Sequence, residues 1–168
     1  FGGHGYIEEW GMSQYARDCR IAMIYEGTNG IQALDLVGRK IAMDGGKHMR
    51  DYLTLVQSLT NEEHAEDFNA DFIVPLKKSI GHLQTALTFF MENGIKNPLS
   101  AVSGATDFLH LLGLVSLGFI WSKKAKSAKD QLENSPPNKK FLEAKILTGC
   151  YFMHRQLPET KLRLDRIV

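Results

Sequence analysis

The hydrophobic period is the feature that most constrains this chain. Apolar residues recur at spacings of three and four, whereas alternation of apolar with polar never persists beyond six residues. Such spacing lines up apolar groups on one helix face, whereas a half-buried strand needs a period of two. The expected fold class is therefore all-α. With 168 residues, 43% apolar and 23% charged, the chain can build a core without disulfides or metals, and its composition is not that of a disordered polymer.

Helix boundaries follow from caps and breakers. Residues 12–20 place Met12, Tyr15, Ala16 and Cys19 on one face, after a loop rich in glycine (Gly2, Gly3, Gly5, Gly11). A short apolar segment, 21–25, is unassigned on its own. Thr28 or Asn29 is the N-cap of a second helix, because a side-chain oxygen there can accept a free first-turn amide. Gly45 and Gly46 end it. Further helices are expected over 47–59, from Asp71 to about Glu92, over 99–133 and over 139–156, with a helix-capable tail over 159–168. Thr60 to Glu63 resembles a capping box, Asp71 is a candidate cap with Pro75 in the first turn, and Asn93-Gly94 is a stop signal. Short connections make consecutive helices antiparallel neighbours. The expected architecture is an antiparallel helical bundle of the four-helix type over 47–168, preceded by a glycine-rich helix–loop–helix segment over 1–45.

Charge and cysteine content narrow the function classes. Twenty Lys plus Arg against nineteen Asp plus Glu give a net charge of +1. No segment is both basic and aromatic enough for nucleic acid. Cys19 and Cys150 form no disulfide framework and no CxxC pair, so two reduced thiols and a cytoplasmic location are expected. The longest apolar run, 108–121, is shorter than the roughly 20 residues that span a bilayer, so no transmembrane segment is expected. No secretory pattern opens the chain. It begins at Phe1 without an initiator methionine, which suggests a piece cut from a longer protein.

Most catalytic patterns fail. Gly3-His4-Gly5 starts like a dinucleotide fingerprint, but Glu8 stands where the third glycine belongs. Walker A and GxSxG are missing, and the six histidines show no metal-binding spacing, so no metal site is expected. His110, in an apolar helix, reads as a core histidine. The lysines from 123 to 129 read as a solvated helix end. One constellation survives: Tyr25-Glu26-Gly27-Thr28. A carboxylate between an aromatic and a glycine, just before a helix, suits a general base. Apolar neighbours would raise its pKa, and the helix dipole would lower it. The sequence alone does not decide between them.

Three blocks in order, Phe1-Gly2-Gly3-His4-Gly5-Tyr6, Arg17-Asp18 and Ile24-Tyr25-Glu26-Gly27-Thr28-Asn29-Gly30-Ile31-Gln32, resemble the C-terminal end of an acyl-CoA dehydrogenase. Residues 47–168 are similar, more loosely, to the extra C-terminal helical domain of the larger bacterial members. Asp35-Leu36-Val37-Gly38-Arg39 suits that longer branch. The resemblance implies FAD-dependent α,β-dehydrogenation of an acyl-CoA thioester, with Glu26 as the base that removes the α-proton. It further implies that Tyr25 and Gly27 line the substrate channel. Thr28, Gly3 and Gly2 lie at FAD, Gly3 at that of a neighbouring subunit. Gly30 departs from the family's usual Gln, which leaves at most a backbone contact there. The implied partners are an acyl-CoA, an electron-transferring flavoprotein and a second copy of the protein. The isolated chain should be inactive, because most flavin and substrate contacts lie in preceding domains. An alternative reading makes this portion a helical assembly module without a catalytic role.

Overall fold

The computed structural model describes residues 1–24, 28–134 and 136–168. It is an all-α structure, with no strand among the described residues. Two compact units divide it, Phe1–Gln32 and Ala33–Val168.

The first unit opens with two tight turns, Gly2–Tyr6 and Glu8–Trp10. Helix α1 follows, Met12–Ile24. It takes in residues 21–24, which a periodicity argument cannot classify in so short a run. Ser13 is its buried residue, whereas Tyr15, Ile21, Met23 and Ile24 are exposed. The apolar face that makes α1 a helix is thus left exposed among the described residues of this unit.

Helix α2, Asn29–Asp35, starts with the Gln32 amide donating to the Thr28 carbonyl at 2.7 Å. A π turn, Leu36–Lys40, continues it. Ala33 and Ile41 are buried, and Leu36 and Val37 pack against the core of the second unit. The expected stop at Gly45 and Gly46 is a turn whose residues Asp44, Gly45 and Gly46 have φ of 50°, 62° and 76°. That left-handed run is tolerable because two of the three carry no Cβ.

Helix α3, Lys47–Thr60, aligns Met49, Leu53, Val56 and Leu59 at spacings of three and four, and buries Val56 and Leu59. The capping box does not form. Thr60 Oγ1 donates back to the Gln57 carbonyl at 2.9 Å, and the next helix begins later, with α4, Glu66–Phe68. A π turn, Asn69–Ile73, joins α4 to α5, Val74–Lys96. Asp71 therefore lies inside a continuing helix and caps nothing. Pro75 accounts for the turn: it has no N–H to give the carbonyl four residues back, and a wider turn relieves its ring there.

Asn93-Gly94 does not stop α5. The Asn93 side chain donates to the Phe89 carbonyl at 3.0 Å, and the helix runs on to Asn97, the residue before Pro98. A residue before proline is driven out of the α region, and Asn97 has φ −142° and ψ 77°. The helix expected over 99–133 is two: α6, Pro98–Ser103, and α7, Ala105–Leu132. They break at Gly104, packed under Phe90 and Ile167. Helix α8, Lys139–Tyr151, with a π turn, Phe152–Gln156, and α9, Glu159–Ile167, complete the chain.

Contacts give the directions of the bundle. Phe90 meets Phe108 edge-on at 5.0 Å, and Leu76 lies by Gly118, so α5 and α7 are antiparallel. Trp121 lies by Gly149 and Phe152, while Gln131 lies near Phe141, so α7 and α8 are antiparallel. Arg163 of α9 reaches Asp107 of α7 at 2.7 Å. Helix α7 is thus shared by α5, α8 and α9, with Phe108, Leu111 and Val115 fully buried. By length and composition alone α7 could cross a membrane. His110 is exposed, not a core residue, and shares its stretch of α7 with exposed Gly113, Leu117 and Ile120.

Candidate functional site

Tyr25, Glu26 and Gly27, the candidate base and substrate-channel residues, lie outside the described residues. The other candidates, Gly2, Gly3 and Thr28, belong to the first unit and are exposed. Gly2 has φ 56°, and a Cβ built on Gly3 meets nothing within 4 Å. Their backbone is therefore open to a ligand from outside. The turn holding them is knit by the Ile7 amide on the His4 carbonyl at 3.0 Å and by Phe1 against Trp10, ring centroids 5.8 Å apart. Thr28 comes four residues after the last residue of α1, a helix of 13 residues and about 20 Å in length.

The Arg17-Asp18 block is the brace of α1. Arg17 donates to Ser13 Oγ at 3.1 Å and to Gln14 Oε1 at 2.9 Å, and lies 3.5 Å from a Glu8 carboxylate oxygen. Asp18 accepts from Gln14 Nε2 at 2.7 Å. Arg17 thus links the turn Glu8–Trp10 to the helix. Gly30 lies in the first turn of α2 and offers only backbone.

The second unit carries polar clusters that spacing along the chain does not foretell. Asp71, displaced from its expected capping role, accepts from His154 Nε2 at 3.1 Å and from the Cys150 thiol at 3.7 Å. Burial, then the Asp71 charge, push the Cys150 thiol up. The cluster ties α8 and the π turn that follows it to the π turn Asn69–Ile73. Lys126 pairs with Glu62, and Lys129 with Asp67 at 2.6 Å. The two lysines hold both carboxyls below their usual range. Part of the lysine-rich end of α7 is therefore paired across to residues 61–67, where a solvated end was expected. Among the described residues no group of three His, Cys, Asp or Glu side chains could hold a metal.

Two family descriptions match the chain. Residues 1–42 match "Acyl-CoA dehydrogenase, C-terminal domain", and residues 47–168 match "Acetyl-CoA dehydrogenase C-terminal like". The chain belongs to the acyl-CoA dehydrogenase family. It corresponds to the C-terminal portion of such enzymes. It is 34% identical to a 3-methylmercaptopropionyl-CoA dehydrogenase of Ruegeria pomeroyi over 99% of this chain and 28% of that protein. It is 25% identical to a butyryl-CoA dehydrogenase of Syntrophomonas wolfei over 94% of this chain and 26% of that protein. A shorter match, 46% identical over 22% of this chain and 10% of the relative, is to the caffeyl-CoA reductase-Etf complex subunit CarC of Acetobacterium woodii. The chain spans little more than a quarter of the length of the first two relatives.

Proposed function

We propose that this chain is the C-terminal part of an FAD-dependent dehydrogenase of acyl-CoA thioesters, with Glu26 as the base. The observation that carries the reading is the family match over residues 1–42, which spans the three blocks that include Glu26. In this reading residues 1–45 close the catalytic domain, and 47–168 are an added helical domain.

The Glu26 carboxylate takes the α-proton of the thioester, and its backbone amide holds the thioester carbonyl, where enolate-like charge develops. Tyr25 and Gly27 line the acyl-CoA channel, Gly27 letting the substrate approach the backbone while Tyr25 and the apolar run 21–24 keep water away. FAD, when bound, would supply a hydride acceptor for the β-hydrogen. Gly2, Gly3 and Thr28 are the residues here that would hold it, and the open backbone at Gly3 fits a group arriving from outside the unit. An electron-transferring flavoprotein is the proposed electron acceptor, a reading supported by the Etf complex in a relative's name. The working protein is a cytoplasmic homo-oligomer. The isolated chain is colourless and inactive, because a flavin needs many contacts and three residues supply few.

A second role is compatible with the first. All the candidate site residues precede Gln32, so the helices of the second unit serve assembly. The test of the main reading is an anaerobic absorbance spectrum of the full-length protein. An oxidised-flavin band bleached by a short- or medium-chain acyl-CoA is expected. A full-length protein without flavin, or one whose flavin no acyl-CoA bleaches, overturns it.

A further inference from the structure

We propose that the groove between α7 and α8 is a docking site for an acidic helical segment of a partner protein, one with an apolar face. This surface lies wholly in the second unit and does not depend on the flavin chemistry. The groove has a volume of about 440 Å³. Its apolar lining comes from both helices: Ile120 of α7, and Phe141 and Leu142 of α8. Leu142 is buried and forms the floor, while Ile120 and Phe141 are 44% and 57% exposed on the walls.

Charge selects the occupant. Lys123 and Lys124 line one wall and Lys145 the other. Each ammonium lies over an aromatic ring: Lys123 at 5.5 Å from Phe119, Lys124 at 5.0 Å from Trp121, Lys145 at 4.9 Å from Phe141. None of the three forms an ion pair among the described residues. Lys126 and Lys129, on the same helix, are by contrast already matched by Glu62 and Asp67. The nearest carboxylate on α8, Glu143, pairs with Lys139 at 3.7 Å. The lysines of this helix end are thus sorted: Lys126 and Lys129 are neutralised by Glu62 and Asp67, Lys123 feels the Glu62 charge without an ion pair, and Lys124 at the groove has no carboxylate partner among the described residues.

Shape narrows the partner further. A trough between two helices accepts the side-chain ridge of a third, with apolar anchors every three or four residues. Carboxylates flanking those anchors would meet cations on both walls. A flat lipid surface reaches neither Leu142 nor both walls together.

The test is fluorescence anisotropy with a labelled 18-residue helix-forming peptide, bearing leucines at every third or fourth position between glutamates. It is titrated with the full-length protein at low salt. Micromolar binding is expected, lost at high salt and absent for a scrambled peptide of the same composition. Charge reversal of the groove (K123E, K124E and K145E together) should weaken binding by at least about tenfold, and Phe141→Ala by several-fold, while Lys77→Glu on exposed α5 surface should change nothing. Equal binding of the scrambled peptide overturns the proposal, as does unchanged binding by the charge-reversed protein. Should that protein not fold, Phe141→Ala and the salt series decide. Self-association abolished by the reversal, with no peptide binding, would make the occupant a second copy and also overturn it. Capture by vesicles of phosphatidylcholine with phosphatidylglycerol, with no peptide binding, would do the same in favour of a membrane.

Discussion

Gly149 lies under the ring of Phe72: a Cβ on Gly149 would stand 2.9 Å from Phe72 Cε1 and 3.2 Å from its Cζ. Phe72 is itself stacked on Phe68, with centroids 4.8 Å apart, and both rings are buried. The close approach of α8 to the π turn Asn69–Ile73 therefore rests on a missing methyl group. It also brings Cys150 and His154 to Asp71.

Gly149→Ala should destabilise the second unit by about 1–3 kcal/mol, the usual cost of overpacking a filled core. Helix propensity alone would predict the opposite sign, a gain of roughly 1 kcal/mol. Gly113→Ala separates the two effects. Gly113 is exposed on α7, and a Cβ there meets nothing within 4 Å, so a gain of about 0.4–1 kcal/mol is expected. Urea unfolding of both variants checks this. Equal stabilisation by the two substitutions would show that the Phe72 contact relaxes freely.

Stability should also fall in mildly acidic solution through His82. Its Nδ1–H donates to Thr160 Oγ1 at 3.0 Å, since the Thr160 hydroxyl proton goes to the Leu157 carbonyl. Burial first, then Lys78 and Lys161, lower its pKa, against an opposing pull from Asp165. A histidine whose folded pKa is depressed stabilises fully above its unfolded value, about 6.5, and loses that contribution as pH falls through the folded one. His82→Gln should therefore flatten the stability profile between pH 7 and the folded pKa. Parallel profiles for wild type and variant would show that His82 is not the group responsible.

The two thiols should differ in reactivity. Cys19 is exposed on α1, whereas Cys150 is half-buried with its pKa raised by burial and by Asp71. Iodoacetamide at neutral pH should label Cys19 first, as followed by peptide mass spectrometry, with Cys150 slower by at least tenfold. Asp71→Asn should narrow the gap. Labelling of Cys150 at the rate of Cys19 would contradict the observed packing.

How far these features were legible in the sequence differs by kind. The helices and the buried Val56 and Leu59 of α3 follow from spacing, because burial on one face is what the spacing records. Helix ends depart from the local signal where a longer-range one competes with it. Asn93-Gly94 yields to Pro98, and Asp71 loses its capping role because the helix already runs from Glu66 through a π turn made necessary by Pro75. The break at Gly104 reflects packing against Phe90 and Ile167, which no local pattern encodes. The clusters Asp71–Cys150–His154 and Asp107–Arg163–Glu159 join residues far apart in the chain. The site was legible in another way. Nothing in the physics of Tyr25-Glu26-Gly27-Thr28 distinguishes a base from a surface carboxylate; the proposal of Glu26 as base rests on the family resemblance that the order of three blocks carries.

The decisive prediction concerns Glu26 in the full-length protein. Glu26→Gln keeps the size and most of the hydrogen bonding of the side chain but removes its basic lone pair. Flavin content and acyl-CoA binding should persist, while reduction of the flavin slows by about 10²–10⁴-fold, the usual contribution of a positioned general base. Glu8→Gln and Glu9→Gln should leave the rate nearly unchanged. Glu8 engages Arg17 at 3.5 Å and both residues lie in the exposed turn before α1. If Glu26 were only a charge at the entrance to α2, its replacement would cost at most about 1 kcal/mol of stability and spare the rate. Stopped-flow reduction of the three variants reads the difference directly. Reduction of Glu26→Gln at the wild-type rate would remove the base from the mechanism while leaving the family membership intact.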